Sequence, residues 1–579
     1  MASPINLPVY QPFSAPQPPS EPRVGVFICE CGEQIAGILD VDSLSESAVE
    51  GEEVVFAGHA PYWCSADGRE LMQEKIREQK LDRVIVAGCS PRTHRGIFKE
   101  TVQGEGLDPE LFGMVNIREG CAWPHRLDAD GANARARDQI AMEVAHVTAL
   151  KPRVPSHADL APAALVIGGG VAGMTAALEL AHAGISVTLV ERSGALGGTA
   201  TEEDPEIASE LQAAVEAQTG VDVRLNSRVG SIEGSLGSYL VGVQNGTGEQ
   251  AQGHTDGPFG AIILATGAPD DETTELAGMM RLPQDTAGYL ADLRVRLRPE
   301  RYLERGFYVC GSAHQPCDAY MAQFQAFSAA SRALRHLSRK SVTLRGPMAQ
   351  VDVERCNGCS DCSRLCPFHA ITMVERPEGV SLSTIDPLLC TGCGNCVSVC
   401  PVEAATLSGW SDSQLDAQMR VALDYDDPEP GSTLPVPAGL GAAALNGDRE
   451  PRVLVFACEW SGYAATELAG AQKRSYPANV RVIRLDCSGR LQAGLIFSAF
   501  EMGAAGVLVL GCAQKLCHYE RGNERAAAAL GQVEELSGLL GLHPNRLKLA
   551  WAPPDDGAAL ADLINEFAAG VDEAVRAVV

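Results

Sequence analysis

The sequence predicts an α/β multidomain architecture, and three features of it do so. Short β-rich runs alternate with helical stretches at both ends of the chain. A Gly-x-Gly-x-x-Gly run sits between a strand and a helix near residue 170. Two tandem cysteine runs, each closing on Cys-Pro, mark a small module of another kind.

The 579 residues leave room for roughly four domains at about 150 residues each. Residues 1–22 are proline-rich, lack a charged start before an apolar core, and read as a disordered or partner-binding tail rather than a secretory signal. Residues 23–155 form an amino-terminal α/β domain, with strands expected at "VGVFIC", "VVFAGH", "RVIVAGC" and "FGMVNIR". A second α/β domain spans 156–342 and the cysteine-rich module 343–410. The Pro-, Gly- and Ala-rich stretch 411–450 reads as a linker, and a last α/β domain covers 451–579.

The net charge of −28 argues against nucleic acid as a partner, because phosphate binding needs a basic surface. No run of about 18 apolar residues suggests a membrane span. Nineteen cysteines without a signal segment point to a reducing, cytoplasmic setting, where clustered thiols bind metal or carry redox chemistry.

"CNGCSDCSRLCP" and "CTGCGNCVSVCP" both follow C-x2-C-x2-C-x3-C-P, the run of a two-cluster ferredoxin in which each fourth cysteine crosses to the other cluster. Cys356, Cys359, Cys362 and Cys400 are therefore expected on one [4Fe–4S] cluster. Cys390, Cys393, Cys396 and Cys366 are expected on the second. Zinc sites pair two shorter hooks across a gap and fit this spacing poorly.

In "ALVIGGGVAGMTAALELAHAGISVTLVER" the strand is followed by Gly168, Gly170 and Gly173, a helix, and a strand ending at Glu191. The glycines allow a tight turn and a close pyrophosphate, and the acid suits a ribose. "SGALGG" with Gly197, "AIILATGAP" with Thr266 and Gly267, and "GFYVCGSAHQPCDA" with Gly311 and Asp318 resemble the FAD-contacting segments of two-dinucleotide, thioredoxin reductase-like flavoproteins. No second glycine fingerprint and no C-x-x-C lie between 199 and 340, so electrons are expected from partner subunits rather than from NADH. Cys310 and Cys317 read either as core or as neighbours of flavin or cluster.

"GCAQKLCHYERGN" holds Cys512 and Cys517, with four residues between them. Cys458, Cys487 and Cys512 close three expected strands, and parallel strands share one carboxyl edge. These thiols and Cys517 are expected to converge on a metal cluster. The amino-terminal domain repeats the scheme: Cys64 to Cys89 and Cys487 to Cys512 both span 25 positions, which reads as a diverged duplication. Cys29, Cys64 and Cys89 are the counterparts. The fourth ligand could be Cys31, His94 or Cys121, with Cys121 favoured.

"CECGEQIAGILDVDSL", "LDRVIVAGCSPRTH", "NIREGCAWPH" and the glycine run resemble the A-type subunits of heterodisulfide reductase over residues 24 to about 400. "YPANVRVIRLDCSGR", "GCAQKLCHYERGN" and "LAWAPPD" resemble the delta subunit of methyl-viologen-reducing hydrogenase. A similar fusion occurs in the B-type chain of the quinone-interacting membrane-bound oxidoreductase. The resemblance implies FAD, a [4Fe–4S] cluster in the amino-terminal domain, two in the ferredoxin module, and a [2Fe–2S] cluster on Cys458, Cys487, Cys512 and Cys517.

It also implies a multi-subunit complex around a homodimeric core. Partners would be B- and C-type subunits with a hydrogenase, formate dehydrogenase, NADH-oxidising or quinone-linked module, which could hold the complex at a membrane peripherally. Some relatives split electron pairs at the flavin. Here the segment after Glu191 is short and Ala313 stands where relatives often carry cysteine, which weakens that expectation. Electrons are expected to pass from the carboxyl-terminal domain to FAD and then to the ferredoxin clusters. The rival functions are a stand-alone flavin disulfide reductase, which lacks its dithiol here, and a zinc-stabilised scaffold. Chemistry would be flavin-centred, and no acid, base or nucleophile is identifiable.

Overall fold

The computed structural model describes residues 21–576 except 153–155, 247–251, 281, 283, 285–286, 291–305, 345, 377–378, 426–450 and 515. Most of the expected tail and most of the expected linker therefore lie outside the described residues. The chain divides into two compact units: Pro155–Arg345, and Met1–Val154 with Gly346–Val579.

The unit built from both ends of the chain holds two parallel four-stranded sheets. In the first, the order is Val54–Ala60, Val24–Cys29, Arg83–Gly88, Phe112–Asn116. In the second it is Val480–Leu485, Val453–Cys458, Gly506–Gly511, Leu547–Trp551. Both run second, first, third, fourth. The central strands are apolar and buried at nearly every position, as in a parallel sheet covered on both faces. Ile28 pairs with Ala87 and Ala457 with Leu510. One residue further along come Cys29 with Gly88 and Cys458 with Gly511, and Cys89 and Cys512 follow directly. The two sheets therefore match in order, register and cysteine placement, as copies of one ancestral unit would.

The expected linker needs correction at its start. Asp412–Leu423 is a helix, opened by a capping box between Ser411 and Gln414. It packs on the helix Ala129–Thr148, and Gln414 Nε2 donates to Ala149 O at 3.2 Å. Its buried Leu415, Met419, Ala422 and Leu423 share one core with Cys362 and Cys396 and with Leu454 and Phe456 of the second sheet. The polar and charged residues between them had masked this apolar face.

The two sheets are also tied together. Asp138 accepts from Arg481 Nε and Nη2 at 2.8 and 2.6 Å, and Asn116 Nδ2 donates to Glu467 at 2.9 Å. A Cβ on Gly470 would overlap Glu119 O, so this close backbone approach requires glycine.

The other unit is a five-stranded parallel sheet in the order Phe307–Val309, Ala261–Leu264, Ala163–Ile167, Ser186–Val190, Val221–Arg224. An antiparallel meander, Ser227–Ser235, Ser238–Asn245 and Gln252–Phe259, is inserted in the crossover. In the cysteine module, Ala349–Val351 pairs with Ala405–Leu407 and Ile371–Glu375 with Ser381–Ile385. Among the described residues no helix is long and apolar enough to cross a membrane.

Candidate functional site

Four groups of thiols are gathered in the larger unit. Cys356, Cys359, Cys362 and Cys400 line one small cavity, so residues far apart in sequence meet there. Backbone N–H of Ala404 donates to Cys400 Sγ at 3.2 Å, and Ser383 Oγ stands 3.1 Å from Cys362 Sγ. Cys359 is exposed.

Cys366, Cys390, Cys393 and Cys396 form a second group, and Cys396 also has Cys362 as an electrostatic neighbour. Burial pushes the Cys393 thiol up to about 12 and the Cys396 thiol well above its ordinary value. Such thiols become thiolates only against a cation, which suits bound iron. Asn395 is buried beside them, and neither of its amide atoms has a partner among the described residues. An orphaned donor beside crowded sulfur fits a sulfide-bearing group.

In the carboxyl-terminal sheet, Cys458 Sγ stands 3.7 Å from Cys512 Sγ. Cys487 and Cys512 both have Cys517 as an electrostatic neighbour. A Cβ on Gly522 would overlap Cys487 Sγ and meet Cys517 Sγ at 3.3 Å, so glycine alone leaves room here. Cys517 is followed by His518, whose ring stacks on Trp460 at 3.4 Å. This group adjoins the second ferredoxin-type group: Cys393 and Cys487 lie in one apolar cluster with Phe368 and Tyr519.

The amino-terminal group needs correction. Cys29 has Cys31 and Cys64 as electrostatic neighbours, and Cys89 has Cys31. Cys29 and Cys89 share a core with Cys31 and Cys64 at its margin. Cys121, favoured as the fourth ligand, is buried elsewhere, with Arg135, Arg481 and Asp138 as its charged neighbours. The turn Arg118–Ala122 explains the difference. It points Arg118 at the thiols and Cys121, three residues on, towards the second sheet. Cys31 enters the group because it and Gly32 take left-handed conformations, φ 48° and 59°, which fold the chain back over the strand end. His94 Nδ1 stands 3.2 Å from Cys89 Sγ, beside the group.

Among the described residues no three His, Cys, Asp or Glu side chains close to the spacing of a single ion. Thiolates on a polynuclear core stand further apart than those on one zinc.

The glycine run lies at the carboxyl edge of the five-stranded sheet, where such folds bind ligands. Gly168 has φ 106°, and a Cβ there would overlap Ala265 O. A Cβ on Gly173 would overlap Gly168 O, so the helix Val171–His182 can pack tightly on the turn. Gly170 differs: a Cβ there would enter open space at the helix N-terminus, the cradle a pyrophosphate needs.

The Glu191 carboxylate accepts from Gly169 N and Ser193 N at 2.6 and 2.7 Å, which fixes its aim along this edge. Gly197 N donates to Gly169 O at 2.8 Å. Thr266 and Gly267 follow the strand Ala261–Leu264, and Thr273 Oγ1 stands 3.2 Å from Thr266 Oγ1. A Cβ on Gly311 would meet Ala172 at 2.7 Å, so the third strand end also closes on this edge. Asp318 caps the helix Ala319–Leu337 by accepting from Met321 N at 2.8 Å. Burial pushes the Cys310 thiol up to about 12, with Cys317 as its neighbour; at neutral pH it is a core thiol. The residues thus fit a flavin dinucleotide.

Residues that sequence reasoning missed are Arg118, Asn395 and Gly522. Arg118 sits inside "NIREGCAWPH", where only the cysteine drew notice.

Comparison with known proteins gives matches to three families. Residues 453–574 match the family "methyl-viologen-reducing hydrogenase, delta subunit", 163–246 match "pyridine nucleotide-disulphide oxidoreductase", and 355–404 match "4Fe-4S dicluster domain". The A-type subunit of the ferredoxin:CoB-CoM heterodisulfide reductase of Methanosarcina mazei is 24% identical, covering 95% of this chain and 97% of that one. That alignment runs over 796 residues, more than this chain has, so the relative carries stretches without counterpart here. A heterodisulfide reductase A-type protein of Archaeoglobus profundus is 36% identical over 39% of this chain and 33% of its own. One of the A-type iron-sulfur subunits of CoB–CoM heterodisulfide reductase from Methanopyrus kandleri is 38% identical over 39% and 36%. The chain is thus similar to the A-type flavin and iron–sulfur oxidoreductases of heterodisulfide reductase, joined to a hydrogenase delta-like domain.

Proposed function

We propose that this chain is an electron-transfer subunit of a multi-subunit oxidoreductase. One observation carries the proposal: three four-cysteine groups stand side by side, joined through Cys362 and Cys396 and through Cys393 and Cys487. Such a row is a conduit rather than a set of isolated structural sites. When bound, flavin would supply exchange between paired and single electrons and the clusters single-electron steps.

Cys356, Cys359, Cys362 and Cys400 would hold one [4Fe–4S] cluster, and Cys390, Cys393, Cys396 and Cys366 the next. Cys458, Cys487, Cys512 and Cys517 would hold a [2Fe–2S] cluster. Cys29, Cys31, Cys64 and Cys89 would hold a [4Fe–4S] cluster in the amino-terminal sheet. Backbone N–H donors to Cys400 and Cys487 would tune the potentials of these sites. Gly168, Gly170, Gly173, Glu191, Gly197, Thr266, Gly267, Gly311 and Asp318 would bind and orient FAD.

Because the carboxyl-terminal thiols adjoin the ferredoxin thiols, transfer would run directly between those two groups. Exposed Cys359 at one end and exposed Leu516 beside Cys517 at the other would face partner subunits. These would be B- and C-type heterodisulfide reductase subunits on one side and a hydrogenase or comparable donor module on the other. With the relatives' extra stretches missing, the proposal is linear transfer rather than division of electron pairs. Anaerobically purified protein should hold about fourteen irons, from three cubanes and one [2Fe–2S] cluster, and one flavin per chain. Zinc in place of iron would overturn the proposal.

A further inference from the structure

Arg118 is held by three contacts at once. Its Nη1 donates to Cys31 Sγ at 3.2 Å. Its Nη2 and Nε donate to Glu119 Oε1 at 2.6 and 3.1 Å. Its guanidinium lies 4.8 Å from the centre of the Trp123 ring. The planar fork is thereby fixed, with a full positive charge against one sulfur of the amino-terminal group, and Cys89 also feels it. The carboxyl-terminal copy has no counterpart among the described residues. Its last strand runs into Ala552, Pro553 and Pro554, and the leading electrostatic neighbours of Cys487, Cys512 and Cys517 are other thiols. Two sites of the same design thus differ in one nearby cation.

We propose that Arg118 is a positioning residue that sets the reduction potential of the amino-terminal cluster. This rests on the assignment of Cys29, Cys31, Cys64 and Cys89 to that cluster. Reduction adds one negative charge to a site already carrying four thiolates. A guanidinium hydrogen-bonded to one of those sulfurs favours the reduced form and raises the potential. Glu119, pinned to the same guanidinium, offsets part of that charge, and its other oxygen is buried without a partner among the described residues. The two side chains therefore act with opposite sign.

The test is a potentiometric titration of the full-length holoprotein, followed by low-temperature EPR at the signal that Cys64→Ser removes. Arg118→Gln should move that midpoint to more negative potential. Glu119→Gln should move it to more positive potential, and Arg118→Lys should fall between wild type and Arg118→Gln. The ferredoxin midpoints should stay fixed in all three. An unchanged midpoint in Arg118→Gln, or a shift of one sign in both Gln variants, overturns the proposal. If Arg118→Gln fails to assemble the cluster, the absence of a positive shift in Glu119→Gln overturns it instead. A Cys64→Ser protein that keeps every signal would sink the cluster assignment itself, whereas an unmoved midpoint sinks only the role of Arg118.

Discussion

Cys393 of the ferredoxin module packs against Cys487 of the carboxyl-terminal sheet, in an apolar cluster with Phe368, Ala370 and Tyr519. Close packing holds the two elements together, since a Cβ on Gly489 would overlap the Asn395 side chain and the Gly522 backbone. Paramagnetic centres held by these two groups would relax each other. The EPR signal of the site at Cys458, Cys487, Cys512 and Cys517 should therefore be broadened in fully reduced protein. Cys390→Ser should sharpen it, while Cys359→Ser, acting on the farther group, should leave it broad. A signal that is sharp throughout would mean the groups are not neighbours.

What the sequence made legible was local in origin. The ferredoxin spacing, the glycine turn before Val171–His182 and the strand-end cysteines each depend on a few adjacent residues. The 25-residue interval in both copies survives because one helix and the strand after it fill that length in each. The rest was not local. Whether Cys31 or Cys121 faces the strand ends depends on the left-handed Cys31 and on the turn at Arg118–Ala122. Neither leaves a composition signal. The helix Asp412–Leu423 was lost because its polar and charged residues and the Pro- and Gly-rich stretch behind it read as linker. The meeting of Cys393 with Cys487 is a tertiary contact over 94 positions of chain, invisible to any spacing rule.

The correction at Cys121 is testable in iron content. Cys31→Ser should lower the total by about four irons per chain, one cubane. Cys121→Ser should keep its iron. It should instead lose about 1–3 kcal/mol of stability, because it buries a hydroxyl among Arg135, Tyr476 and Arg481. Equal iron loss in both variants would restore Cys121 as a ligand.

Gly170 separates flavin binding from folding. Its backbone, φ −72° and ψ −176°, suits any residue, and a Cβ there meets nothing within 4 Å. Gly170→Ala should therefore unfold within about 0.5 kcal/mol of wild-type apoprotein. The methyl group would stand where the pyrophosphate approaches the helix N-terminus. FAD affinity should fall at least about tenfold, about 1.4 kcal/mol, in a fluorescence titration. Stoichiometric flavin after purification of Gly170→Ala would refute the cradle.

Glu467 makes the joint between the two sheets pH-dependent. Burial, aided by the charge of Glu459, pushes its carboxyl up to about 7, against the pull of Ser90, Arg92 and Asn116. In the unfolded chain the group returns to about 4.3. The folded state thus holds a proton that the unfolded state releases. Its contribution is fully present below pH about 4.3 and is lost as pH rises through about 7. The shift corresponds to about 4 kcal/mol. Glu467→Gln stays neutral and can still accept from Asn116. It should match wild type near pH 4 and melt at a higher temperature at pH 8, at the same scan rate. Parallel melting curves across that range would show that Glu467 is already ionised in the folded protein.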